Sequence, residues 1–128
     1  MLGPDTLQET LAHAKSLYDK GWASLSPTPL FDATARVLRD RMSSYGEDVV
    51  VLTCLGAVFC DMMRPADAEA VLERAVALGS TDRHTFFNLF VARLQLGRMD
   101  AAQQALERST SLEGQPSTWT AYFDPHGM

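Results

Sequence analysis

The chain repeats its own residue pattern at a spacing of 34 residues. When residues 49–82 are aligned with residues 83–116, Leu55 falls on Leu89 and Ala68 falls on Ala102. The other matched pairs are Leu52 with Phe86, Leu72 with Leu106, and Leu78 with Leu112. A period of roughly 20–50 residues indicates stacked copies of one supersecondary unit, because each unit leaves an apolar face that a neighbouring copy must cover.

The period and the residues that carry it resemble the tetratricopeptide repeat (TPR), a pair of antiparallel helices. The first copy carries the small and bulky apolar residues of the consensus: Leu52, Leu55, Gly56, Phe59, Ala68, Leu72 and Ala75. Small residues let two helices approach closely, and the larger ones fill the space around the contact. The second copy departs from the consensus at Phe90, where Gly is usual, and at Arg93, where an aromatic residue is usual.

The resemblance implies an all-α fold, in which antiparallel helix-turn-helix units form a TPR-like right-handed superhelix of about three repeats. The repeats are expected at about 14–47, 49–82 and 83–116, and the first is degenerate. Starting it at Ala14 places Gly21 and Ala33 at the small-residue positions. We expect a single TPR-like domain over residues 1–116, with an N-terminal helical extension from about residue 5 and an aromatic C-terminal tail at 117–128.

Apolar residues at three- and four-residue steps predict six helices. The first is expected to begin after Asp5 as its N-cap and to run to about Leu25, where the proline-containing stretch 26–29 stops it. The second is expected from Leu30 to near Gly46. The four helices of the two clear repeats are expected at about 48–62, 65–78, 82–96 and 98–113.

Composition and charge limit the classes of function. The 128 residues are 46% hydrophobic and carry a net charge of −5, whereas a nucleic-acid surface needs clustered basic residues. Arg36, Arg39 and Arg41 form the one local basic cluster, which we interpret as a solvated helix face. We therefore expect no nucleic-acid partner. We also expect no membrane insertion and a cytoplasmic location, because the sequence lacks both a long apolar stretch and a secretory signal.

The sequence offers little support for catalysis. His13, His84 and His126 lie in three separate segments and lack the i, i+4 spacing of a zinc site on a helix. Cys54 and Cys60 lie on different sides of one expected helix, so we interpret them as reduced core residues rather than a disulfide. There is no Gly-rich phosphate loop. We therefore expect a protein that is not an enzyme and uses no metal or other cofactor.

In TPR proteins the first helix of each repeat lines a concave groove, which implies a site for a protein or peptide partner with hydrophobic anchors. The groove residues expected here, with Asn88 included as a candidate peptide clamp, are Tyr18, Trp22, Leu25, Val50, Thr53, Ala57, His84, Phe87, Asn88, Val91 and Leu94. Trp22 and Phe87 could instead pack against the next helix. Only Asn88 and Lys15 could join the basic clamp with which some TPR domains hold acidic C-termini of large chaperones, so that subfamily is disfavoured.

A narrower resemblance is to the small TPR chaperones of bacterial type III secretion, which guard hydrophobic translocators. It is carried by Leu17-Tyr18-Asp19-Lys20-Gly21-Trp22, by Leu30-Phe31-Asp32-Ala33, and by the runs 82–87 and 96–100. This resemblance implies a chaperone that keeps an aggregation-prone partner soluble. The alternative is an assembly adaptor or scaffold that binds a folded partner through its convex face or its tail. Both interpretations are compatible with a homodimer.

The tail at 117–128 contains Trp119, Tyr122 and Phe123. Pro116 and Pro125 leave little room for a helix that would cap the last repeat. We expect a short turn that lays its aromatic side chains on the helix at 98–113. The alternative is that these aromatic side chains occupy a groove in place of a bound peptide.

Overall fold

The computed structural model of the chain describes residues 6–122, which contain six α-helices and no strand. The helices are α1 (Leu7–Ala23), α2 (Thr28–Tyr45), α3 (Val49–Asp61), α4 (Pro65–Ala77), α5 (Arg83–Gln95) and α6 (Met99–Thr110). Each odd-numbered helix packs on the even-numbered helix that follows it, and contacts of α2 with α3, α4 with α5 and α3 with α5 join the three pairs. The expected all-α arrangement of helix pairs is confirmed. Over this part of the chain, every helix is too short or too polar to cross a membrane.

Side-chain caps set the starts of the odd-numbered helices. Thr6 begins α1, and its hydroxyl accepts a hydrogen bond from the Glu9 backbone N–H at 3.0 Å. The expected cap, Asp5, lies outside the described residues. Asp48 and Asp82, which are 34 residues apart, begin α3 and α5 by accepting first-turn N–H groups. Because such caps satisfy donors that have no partner within the helix, the repeat is encoded even in its start signals.

The expected bounds of two helices are wrong by a few residues. Helix α2 begins at Thr28 rather than at Leu30, because Pro29 is tolerated in the first helical turn, where the missing N–H has no helical partner. Helix α6 ends at Thr110 rather than at 113. The hydroxyls of Ser109, Thr110 and Ser111 all bond back to carbonyls three residues earlier, and such local bonds compete with continuation of a helix.

The turns from α3 to α4 and from α5 to α6 each contain a residue with a left-handed backbone conformation, at the same repeat position. These residues are Met63, with φ of 57°, and Gly97, with φ of 77°. After each, the next N–H bonds to a carbonyl five residues back at 2.9 Å, from Arg64 to Phe59 and from Arg98 to Arg93. Because Met63 adopts a conformation that favours glycine, the packing of the two helices imposes this turn on the chain.

Small residues bring the paired helices together, as the repeat pattern predicts. Ala68 and Ala102 are buried. Gly56 approaches Leu72 so closely that a Cβ atom built on Gly56 would lie 2.4 Å from Cγ of that leucine. In the first pair, a Cβ on Gly21 would lie 2.5 Å from Cε1 of Phe31. Glycine is therefore required at both places by space rather than by backbone conformation.

Arg93, which replaces the usual aromatic residue, joins three helices through an ion-pair network. Its guanidinium lies 3.3 Å from Glu69 and 3.2 Å from Glu73, both in α4. It also donates to the Ala101 carbonyl in α6 at 3.3 Å. Arg98 pairs with the second oxygen of Glu69 at 2.6 Å. A charged residue can replace an aromatic one here because each of its three guanidinium nitrogens meets an acceptor.

Gly56→Ala tests the close contact of α3 with α4. The added methyl group would overlap the Leu72 side chain, so we expect the free energy of unfolding to fall by ~1–3 kcal/mol. Urea denaturation measures the change. In a Leu72→Ala background the obstructing atoms are absent, so the same substitution should be less harmful there. An equal loss in both backgrounds would contradict the contact.

Candidate functional site

The odd-numbered helices share one surface of the array, which we call the concave groove. Its floor is α3, in which residues 51–60 are all buried. An apolar helix must be covered on every side, and α2, α4 and α5 pack against three sides of α3. The remaining side faces the concave groove and is covered by the chain's own C-terminal part.

Residues 115–122, which we call the docked segment, lie in the concave groove. The segment makes a turn at 116–117 and then continues without helix or strand. Its start lies near Cys54, whose thiol contacts the Ser117 carbonyl at 4.0 Å. Its end lies beside Asp61, which accepts the Tyr122 N–H at 3.0 Å. The docked segment thus follows α3 from its N-terminal half to its last residue.

The expected turn against the last helix is wrong for this described part of the tail. Trp119 stacks on Tyr18 of α1, with ring centroids 5.5 Å apart. Tyr122 packs on Trp22, also in α1, at 5.0 Å. The alternative, in which the aromatic side chains occupy a groove, describes their placement. Phe123 and Pro125 lie outside the described residues.

The physical reason for this path is the contact between the chain and the start of α5. The Glu113 carbonyl accepts the Arg83 N–H at 3.0 Å. Gly114 then passes the imidazole ring of His84 so closely that a Cβ atom would lie 2.3 Å from Nε2. The absence of a side chain at Gly114 lets the chain pass this ring. The chain is thereby directed away from α6 and into the concave groove.

Asp82 holds the turn that leads into the docked segment. Its carboxylate is buried and accepts from the Gln115 N–H at 3.0 Å and from the Thr118 hydroxyl at 2.7 Å. The Thr118 hydroxyl also lies 2.7 Å from Nδ1 of His84. Asp82 was not among the expected groove residues, although its place 34 residues after Asp48 marks it as a helix cap. Nothing local indicates that the same carboxylate also binds the distant turn.

Asn88 binds the backbone of the docked segment. The Asn88 amide donates to the Trp119 carbonyl at 3.1 Å and accepts from the Ala121 N–H at 2.9 Å. It therefore bonds to the carbonyl before Thr120 and to the N–H after it, as the backbone of a neighbouring strand would. A further bond to the Thr53 carbonyl, at 3.1 Å, fixes the amide against α3. Because these bonds reach only main-chain atoms of the segment, they set its position whatever its side chains are.

An aromatic cluster forms one wall of the concave groove. Tyr18 lies at its centre, with its ring 5.7 Å from Phe31 and 6.3 Å from Trp22. Stacking of Trp119 on this wall contributes ~0.5–1.5 kcal/mol beyond the area that it buries. The indole N–H of Trp119 is itself buried and has no acceptor within the described chain.

Asp61 joins the wall to the end of the docked segment. One carboxylate oxygen accepts the Tyr122 N–H, and the other accepts the Tyr18 hydroxyl. Burial raises the pKa of Asp61 from 3.8 to about 7, although both hydrogen bonds act in the opposite direction. Burial, together with the charge of Asp61, raises the pKa of Tyr18 far above its usual range. Tyr18 therefore stays a neutral donor.

Five of the expected groove residues lie against the docked segment: Tyr18, Trp22, His84, Phe87 and Asn88. The other expected residues fall into different environments. Thr53, Ala57 and Val91 are buried in the interior, Val50 and Leu94 are half-buried, and Leu25 is fully exposed in the loop between α1 and α2. Lys15 forms an ion pair with Asp19 at 2.7 Å.

A cavity of about 390 Å³ stays open between α1 and α5, beside the end of the docked segment. It is lined by Tyr18, Trp22, Phe87, Thr120, Ala121 and Tyr122. Trp22 is 44% exposed at its rim. The concave groove therefore has space, lined by both apolar and polar atoms, that the docked segment does not fill.

Three stacked helix pairs, of which the second and third repeat at 34 residues, and a groove lined by the first helix of each pair define a TPR-like helical repeat. No family model matches the sequence, and a comparison with curated proteins gives no match. Among solved structures, the chain is similar to the second TPR of Spaghetti (RPAP3) bound to the HSP90 peptide SRMEEVD. The TM-score is 0.62, with 19% identity over 83% of this chain and 97% of that one. This likeness shows that the chain has the TPR-like fold.

Asn88→Ala tests the main-chain clamp. The substitution leaves the Thr53 and Trp119 carbonyls and the Ala121 N–H without their partner, so we expect a loss of ~2–4 kcal/mol in the free energy of unfolding. Amide hydrogen exchange should speed up most at residues 118–122. An exchange pattern that changes equally along all six helices would show that Asn88 serves the core and not the docked segment.

Asp61→Asn tests the raised pKa of Asp61. Between about pH 4 and pH 7 the folded protein binds a proton that the unfolded chain has released. The stability due to this group is therefore largest below about pH 4 and falls as the pH rises to about 7, by at most ~1.4 kcal/mol per pH unit. Denaturation across this window should show the decline in the unsubstituted protein and a flatter profile in Asp61→Asn. Identical profiles would contradict the raised pKa.

Proposed function

We propose that this protein is a non-enzymatic protein–protein interaction module, and that its concave groove binds an extended, largely apolar segment of a partner protein. The observation that supports the proposal is the docked segment itself. Asn88 and Asp61 bind its main chain, as they could bind that of any peptide. Trp119 supplies the apolar anchor, which packs on Tyr18.

The partner segment takes the place of the docked segment. Residues 111–114 connect that segment to α6 without helix, so it can leave while the six helices stay packed. Its departure exposes the apolar side of α3 and the ring of Tyr18 to water. Exposed apolar patches of this kind favour association. The concave groove is therefore stable when it is filled, either by the chain's own residues or by a partner.

The charges around the concave groove favour an apolar ligand over an acidic one. The second TPR of Spaghetti is bound to SRMEEVD, a peptide with two Glu and one Asp. In this chain the docked segment instead meets carboxylates at both ends, Asp82 near residue 115 and Asp61 near residue 122. Lys15 is already paired with Asp19. The buried Asp82 would repel an acidic peptide at the start of this path.

The resemblance to type III secretion chaperones favours a more specific role, in which the module keeps an aggregation-prone partner soluble in the cytoplasm. A groove with an aromatic wall and an apolar floor suits that role, because it shields from water the apolar segment that would otherwise aggregate. No folded partner surface is needed for such binding. The partner would be recovered as a soluble complex although it is insoluble alone.

A second candidate is an adaptor that binds a folded partner through its outer helices. The observation that favours it is a cavity of about 330 Å³ between α4, α5 and α6. Its apolar lining is Val76, Phe86, Leu89 and Ala105. Its charged lining is Glu73, Arg93 and Arg108. Val76 is exposed there. This surface lies away from the docked segment.

Trp22→Glu and Val76→Glu separate the two candidates. Both residues are exposed apolar side chains, so each variant should keep its helical circular dichroism. Tagged proteins are purified from the native host, and the partners identified by mass spectrometry are quantified. We expect Trp22→Glu to lose at least ~90% of the bound partner, because a charge at the rim of the concave groove opposes apolar burial, whereas Val76→Glu retains it.

The reverse result would support the adaptor and contradict the groove proposal. Val91→Glu is unsuitable for this purpose, because Val91 is only 2% exposed and belongs to the core. Solubility of the identified partner, expressed alone and with this protein, then distinguishes a chaperone from a plain binding module.

A further inference from the structure

We propose that the partner segment carries the pattern Phe-x-apolar, with its Phe in the site now filled by Trp119, and that the docked segment is a weaker, built-in competitor for that site. This inference rests on the proposed function and adds the chemistry of the ligand. It follows from three features of the docked segment: its position, its two buried apolar side chains and one unpaired donor.

The position of a ligand is set by Asn88. This amide pairs with the carbonyl before and the N–H after one central residue, which is Thr120 in the docked segment. The Tyr18 hydroxyl, 3.3 Å from the Thr120 carbonyl, marks the same place from α1. The residues on either side of the central one therefore face the interior, as alternate residues of a strand do. A partner held by the same clamp must present one side chain to each of these two sites.

Both inner sites are apolar. Trp119 is 8% exposed and Ala121 is 3% exposed, and both belong to the main hydrophobic core. Thr120 between them is only half-buried, so its side chain contributes less to selection. A charged or strongly polar residue at either inner site would lose its hydration without a partner. The ligand pattern is therefore apolar, any residue, apolar.

The first inner site favours a ring without a hydrogen-bond donor. The Trp119 ring stacks on Tyr18 with 29° between the ring planes, which is a contact that any aromatic ring can make. The indole N–H is buried there with no acceptor among residues 6–122. A buried donor that loses its water without gaining a partner is destabilising. Phe keeps the stacking and has no such donor.

An imperfect anchor suits a segment that has to be displaced. Because the docked segment is tethered to α6, its effective concentration at the concave groove is about millimolar or higher. A free partner with the same side chains would compete poorly against it. The unpaired indole N–H weakens the tethered segment, so a partner with Phe in this site can replace it.

Three synthetic peptides with the sequence of residues 115–122, carrying Trp, Phe or Ala in the place of Trp119, test the inference. The receptor is the full-length Trp119→Ala variant, whose own segment has lost its anchor. Calorimetry measures the dissociation constants. We expect the Phe peptide to bind roughly 3- to 10-fold more tightly than the Trp peptide, because the gain from removing an unpaired donor exceeds the loss of ring area. The Ala peptide should bind at least ~10-fold more weakly than the Trp peptide.

The outcomes distinguish this inference from the proposed function. Trp and Phe peptides that bind equally, or a tighter Trp peptide, would overturn the preference for Phe and leave groove binding intact. The full-length Ala121→Glu variant is a second receptor, in which a buried charge expels the segment. If no peptide binds either receptor, both proposals fail.

Full-length Trp119→Phe gives a check that needs no peptide. Its melting temperature should rise and exchange at residues 118–122 should slow, and a fall in both would overturn the inference.

Discussion

The burial of α3 on all sides is the constraint on which the rest of the structure depends. Its residues 51–60 carry no charge and are all buried, so water must be excluded from its whole circumference. The approach of Leu72 to Gly56 closes one side, and α2 and α5 close two more. Residues 6–122 contain no further helix for the groove side. The docked segment completes the cover on this side, from Cys54 to Asp61.

Polar side chains make it possible for a segment without helix or strand to lie on such a floor. Backbone groups that are buried without partners are costly, and the α-helices have no free groups to offer along their sides. Asp82, Asn88 and Asp61 supply acceptors and donors at the start, middle and end of the docked segment. In the proposed complex, the same three residues bond to the backbone of the partner segment. Apolar contacts provide the binding energy, and these few polar groups set the position.

Part of the candidate site could be predicted from the sequence, because repeat positions transfer directly to helix faces. Tyr18, Trp22, His84 and Phe87 were expected in the groove and lie against the docked segment. Asn88 was also expected in the groove, and its side chain bonds to main-chain groups of the docked segment. Val91 was expected on the surface but is buried. A repeat position indicates which way a side chain points, but not how much of the chain lies above it.

The sequence by itself determined the helix pairs, their order and their close contacts. The 34-residue period, the caps at Asp48 and Asp82 and the small Gly56 act over short separations, where spacing along the chain decides which atoms meet. Only the tertiary structure decided what fills the concave groove. That outcome depends on where the chain leaves α6 relative to the start of α5, and on the passage of Gly114 beside His84. Residues 30 positions apart meet there, and no local pattern specifies the direction in which the chain continues.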